Sequence, residues 1–151
     1  ALAKFIKEHD FYAAINCHTV AGKFLYPHGY TRRPASHRRE FIEMGRAFNR
    51  KQEFKKYKVQ KSASWYPTLG DLDDYLYMEH GAMSVTIEHG KVFHNLKYAL
   101  TNPGWFWIMN PHDAGKWVDN DRDAILAAIE EAFEITGGEP LDPGECRPQK
   151  Q

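Results

Sequence analysis

Cysteine is scarce in this sequence. Cys17 and Cys146 are the only two in 151 residues, too few for a disulfide framework or a cysteine-based zinc cluster. They leave the compartment open. No apolar run approaches the roughly 20 residues that a membrane helix needs, and no charged-then-apolar signal segment opens the chain. Net charge is also missing, with 20 basic and 20 acidic residues. Repeats and low-complexity stretches are absent. What is present is a composition that is 42% hydrophobic, 14% aromatic and 26% charged, enough to bury a core and to exclude disordered and fibrous classes. The length suits one domain.

The balanced charge is unevenly spread. Residues 1–60 carry 13 basic and 5 acidic residues, and residues 61–151 carry the opposite excess. A basic run such as 32–58 can be a nucleic-acid footprint, but it has no known reader motif. It reads as a solvated helix face followed by a lysine-rich connector. Neither a nucleic-acid partner nor a membrane is expected.

Periodicity outlines the elements. Leu2, Phe5 and Ile6 fall at helical spacing. Phe11 to His18 reads as a buried strand, with Cys17 a small buried thiol, and Lys23–Tyr26 as a second extended piece stopped by Pro27 and Gly29. Ser36 through Phe54 predicts a helix, with Phe41, Met44 and Phe48 on one face. Asp74 to His80 predicts a short helix or turn, and Ala82 to Glu88 a strand. Residues 101–119 read as irregular, with Trp105, Trp107 and Trp117 as packing anchors. Asp121 to Ile135 predicts the clearest helix, capped by Asp119, Asn120 and Asp121, striped by Ile125, Ile129 and Phe133, and ended by Gly137-Gly138. Helices interleaved with buried strands argue an α/β fold. The domain is expected over 1–137, with 138–151 as a Pro/Gly tail.

Three positions could carry chemistry. His18 closes one strand, Glu88 closes another, and Tyr66 opens a Pro/Gly loop between them. Singly, each has an ordinary structural reading. Together they sit where sites gather in α/β sheets, at strand ends. Glu88, closing an apolar strand, would be costly there unless it is partnered or functional; its ordinary reading is a strand end emerging into solvent.

These segments, taken in order, resemble the zinc carboxypeptidases of the funnelin type. Phe5-Ile6-Lys7-Glu8-His9 and Ala13 to Thr19 are similar to the helix and strand leading to that family's second zinc histidine. Leu25 to Tyr30 resembles its tyrosine–proline segment, Tyr66 to Gly70 with Asp74 its mobile tyrosine loop, and Val85-Thr86-Ile87-Glu88 the strand ending in its catalytic glutamate. The resemblance implies part of a mixed-sheet α/β/α domain. It implies His18 as a ligand of Zn2+, Glu88 as general base and acid, and Tyr66 as a phenol that closes over substrate. It also implies peptide or protein C-termini as substrate, and it favours an extracellular or periplasmic setting.

In that family the other two zinc ligands, from a His-x-x-Glu motif, and the substrate-binding arginines lie upstream of the position matching His18. The chain is therefore expected to be the C-terminal half of the catalytic domain and inactive alone. The alternative is a non-catalytic carboxypeptidase-like module that binds peptides or proteins. The local His37-Arg38-Arg39-Glu40 has helical i, i+3 spacing but lies downstream, and it reads as coincidence. By resemblance, Asp73 sits at the floor of the pocket for the departing residue and implies a preference for Lys or Arg. Asp71 stands where the family usually has glycine. The competing reading makes Asp71, Asp73 and Asp74 a solvated acidic turn.

Overall fold

The computed structural model describes residues 1–91, 100, 101, 104, 106, 109, 110 and 113–148. His94, His112, Trp105 and Trp107 lie outside the described residues. Five α-helices and four strands are described: α1 Leu2–Lys7, β1 Ala13–Thr19, β2 Lys23–Tyr26, α2 Arg38–Lys51, β3 Lys58–Lys61, α3 Leu72–His80, β4 Met83–His89, α4 Gly115–Thr136 and α5 Pro143–Cys146. The architecture is mixed α/β, as expected. None of the described helices is long and apolar enough to cross a membrane.

The sheet order is β1-β4-β2-β3. β4 pairs with β1 in parallel and with β2 antiparallel, and β2 pairs with β3 in parallel. Side chains alternate between faces along a strand, and β4 uses both. Val85 and Ile87 enter a core with Phe24, Tyr26, Phe41, Met44, Phe48 and the alanines of α4. Ser84, Thr86 and Glu88 face the α3 side. α2 buries Phe41, Met44, Gly45, Ala47 and Phe48, the one-sided spacing that its sequence predicts.

Several expectations need correction. β1 is not a buried strand: it runs from half-buried to exposed, and Cys17 is exposed. Among the described residues β1 is the sheet's edge, so nothing covers its far side. The lysine-rich connector contains β3, an edge strand that uses lysine as edges often do. Lys58 is exposed there, whereas Lys61 is buried and donates to the Arg33 carbonyl at 2.5 Å.

α4 starts at Gly115, so Asp119, Asn120 and Asp121 are interior rather than capping. Asn120 and Asp121 are buried. Asn120 Oδ1 accepts the Phe54 and Lys55 amides at 3.0 and 3.1 Å, satisfying backbone donors beyond the end of α2. The buried stripe of α4 is Ala124, Ala127, Ala128 and Ala132, because small side chains let α4 lie close to α2. Ile125 and Ile129 flank it, and Phe133 is 49% exposed. Gly137 ends the helix with φ 69°.

The segment after Gly138 carries α5 and docks on α3. The Leu141 amide donates to the Gly81 carbonyl at 2.9 Å, Arg147 makes a two-pronged contact with Glu79 at 2.9 Å, and Cys146 is fully buried. Gly81 has φ 69°, and a Cβ there would run into the Leu141 backbone, so both its conformation and this contact require glycine.

Candidate active site

Strand register brings the first two site residues together. His18 is the β1 partner of Glu88, and Lys23 is its β2 partner. Paired residues in a sheet point to the same face. His18 Nδ1 accordingly lies 3.6 Å from Glu88 Oε1, with the histidine side chain 51% exposed and the glutamate 8%. Glu88 is therefore not a strand end emerging into water. Burial pushes its carboxyl above the usual range, while the nearby His18, His89 and Lys23 pull the other way.

α3 brings Asp73. It is 4% exposed and accepts hydroxyl bonds from Thr86 Oγ1 at 2.5 Å and Ser84 Oγ at 3.4 Å. The solvated acidic turn is thereby overturned for Asp73 and Asp74. Burial raises the Asp73 carboxyl to about 7. The Thr86 bond opposes that rise, and the charges of Asp71 and Asp74 add to it.

Asp74 points elsewhere. Both of its oxygens accept the Gly29 amide at 3.0 Å, and one accepts the Tyr30 amide at 3.3 Å. Asp71 occupies the N-cap of α3 without capping it. Its carboxylate accepts the Thr68 hydroxyl instead. Thr68 also donates its amide to the Gly29 carbonyl at 3.1 Å, and a Cβ at Gly29 would collide with this Thr68–Asp71 pair. Gly29 thus lets the 66–71 loop close against the β2–α2 connection.

Tyr66 stands at the rim, 51% exposed and 4.7 Å from the Trp65 ring. Lys23 Nζ lies over the Trp65 ring at 5.2 Å. His18, Tyr66, Asp71, Asp73, Thr86 and Glu88 all line one cavity of about 70 Å³. A larger apolar recess of about 690 Å³ is walled by Val20, Trp117 and Ile125, with His89 and Asp121 at its edge, and none of the four residues singled out from the sequence lines it.

His28, not singled out from the sequence, is fully buried, and neither ring nitrogen has a hydrogen-bond partner among the described residues. Burial, with Lys61 nearby, lowers its pKa to about 4. The imidazole is thus neutral at pH 7, and its 3.8 Å approach to Asp74 is not an ion pair there. His37 packs against Tyr77, whose hydroxyl lies 2.8 Å from Nδ1.

Among the described residues no group of three or more His, Cys, Asp or Glu side chains could hold a metal ion. His18 is one imidazole donor at the cavity mouth, and a catalytic zinc needs three protein ligands. The donors described in this chain do not by themselves fit one.

The zinc carboxypeptidase family model matches residues 1–99, and the chain belongs to that family. The match covers β1 through β4, and with them His18, Tyr66, Asp73 and Glu88. Beyond this family match, no curated protein is similar enough to be matched.

Asp73 gives a direct thermodynamic test. Its carboxyl is raised in the fold, so between about pH 4 and pH 7 the folded chain holds a proton that the unfolded chain has lost. Stability therefore falls as pH rises through that window. Asp73→Asn should stabilise the chain by about 1–3 kcal/mol at pH 8 and by almost nothing at pH 4. Urea unfolding at the two pH values measures this. An equal effect at both would mean that Asp73 is ionised throughout.

Proposed function

We propose that this chain forms the C-terminal half of the active site of a zinc metallocarboxypeptidase that removes a single residue, preferably Lys or Arg, from peptide C-termini. The observation that carries this reading is the convergence of His18, Tyr66, Asp73 and Glu88 on one cavity in a chain of this family.

His18 would hold the metal together with two ligands from outside these residues. Zinc bound by three protein ligands supplies an activated water and a polarised carbonyl. Glu88 takes a proton at its carboxylate and later delivers it to the departing amine. Its burial suits that role, because burial raises its carboxyl and a raised carboxyl is a better proton carrier. The exposed Tyr66 hydroxyl donates to the peptide or its terminal carboxylate and screens the cavity from water. Asp73 selects the departing side chain: a desolvated carboxylate gains from a cationic partner and loses when an apolar residue seals it off.

Two measurements on the complete domain test this. Glu88→Gln should lower kcat by about 10² to 10⁴ while zinc stays bound, and near-normal turnover would remove Glu88 from the role. For selectivity, peptides ending in Lys or Arg are compared with those ending in Leu or Phe. The preference for the cationic termini should rise as pH increases through about 7, where Asp73 ionises. It should fall at least about tenfold in Asp73→Ile. A parent enzyme that favours Leu or Phe, or an unchanged ranking in the variant, sinks the selector assignment.

A further inference from the structure

We propose that Asp121 and Tyr57 are positioning residues for Glu88, forming a buried clamp on the two residues that follow it. The inference rests on the reading of Glu88 as the general base.

β4 ends at His89, and strand ends fray unless something holds them. Here both following residues are tied to one carboxylate. His89 Nδ1 lies 2.7 Å from Asp121 Oδ2. The Gly90 amide donates to the Tyr57 hydroxyl at 2.8 Å, and that hydroxyl donates onward to Asp121 Oδ2 at 2.6 Å.

The clamp is itself held firmly. Asp121 is 2% exposed and Tyr57 3%. Asp121 Oδ1 accepts Gln52 Nε2 and Asn120 Nδ2, each at 2.7 Å, and Gln52 Oε1 accepts the Tyr57 amide at 3.0 Å. Burial alone would raise the Asp121 carboxyl, but bonds from His89, Tyr57, Gln52 and Asn120 outweigh it and keep the group below the usual carboxylate range. The anchor is thus an ionised, fully bonded acid on the longest helix described.

Its geometry separates it from the reacting groups. Residues 88 and 89 point to opposite faces of the sheet, so Glu88 lines the small cavity while His89 and Asp121 line the recess beyond it. Asp121 cannot touch a substrate in the Glu88 cavity. It acts only through the backbone that carries the base. A proton-transferring group must be held within about 0.5 Å of its working position, and here the hold comes from the opposite side of the sheet.

Two readouts test the clamp. In the 151-residue chain, Tyr57→Phe keeps the ring and removes the link. Amide exchange at Gly90 should quicken by about tenfold or more, with Glu88 and His89 following and Val85 unchanged. In the complete domain, Tyr57→Phe and Asp121→Asn should each lower kcat by about tenfold or more, with KM within about twofold and bound zinc unchanged. Should Asp121→Asn fail to fold, Tyr57→Phe decides alone. Unchanged Gly90 exchange overturns the clamp. A loosened Gly90 with unchanged kcat overturns its role in positioning. Full turnover in Glu88→Gln removes the base on which the inference rests, yet leaves the exchange result standing as a separate finding.

Discussion

The parallel pairing of β1 with β4 in one fixed register is the constraint from which the site follows. It sets His18 opposite Glu88, and the pleat puts both on the face toward α3. Slipping the pairing by one residue would turn one of the two side chains to the far face. β4 is central among the described strands, with β2 on its other side. Glu88 is therefore shielded on both flanks, while His18, on the edge strand, stays open at the cavity mouth.

The same sheet face holds polar groups at a thermodynamic cost. Asp73 is buried with the Ser84 and Thr86 hydroxyls as its hydrogen-bond partners among the described residues, and burial raises its carboxyl to about 7. An apolar side chain at that position would avoid this cost. Neighbouring Asp74, by contrast, is anchored by the backbone amides of Gly29 and Tyr30, and Asp121 by four side-chain donors. These two read as structural supports. Burial raises the Asp73, Asp74 and Glu88 carboxyls alike, but only Asp73 and Glu88 of the three line the cavity, and raised carboxyls in a cavity mark functional sites.

Much of the scaffold was legible from the residues. Phe41, Met44 and Phe48 marked α2, the apolar run before Glu88 marked β4, and Gly137 marked the end of α4. The misses have physical causes. Lys58–Lys61 looked like a connector because an edge strand tolerates lysine on its open side. Asn120 and Asp121 looked like caps because those residue types usually cap, and nothing local reveals that they reach across to Phe54, Tyr57 and His89. The alanine face of α4 was hidden behind the more hydrophobic Ile125, Ile129 and Phe133, since burial there follows closeness of approach rather than side-chain size. Of the site, Glu88 and His18 could be found at strand ends and Tyr66 at a loop. The burial of Asp73 against Ser84 and Thr86 depends on packing α3 over β4, which spacing alone does not specify. His28 gave no signal at all, because its isolation is a property of the assembled interior.

The central claim is that His18 is a metal ligand and that Glu88, 3.6 Å away, is not. Cobalt(II) substituted into the complete peptidase domain reports this directly through its ligand-field absorption. The predicted result is one bound cobalt per domain in the parent and in Glu88→Gln, with the tetrahedral-type spectrum lost in His18→Ala. Cobalt held with an unchanged spectrum in His18→Ala would contradict the assignment of the site.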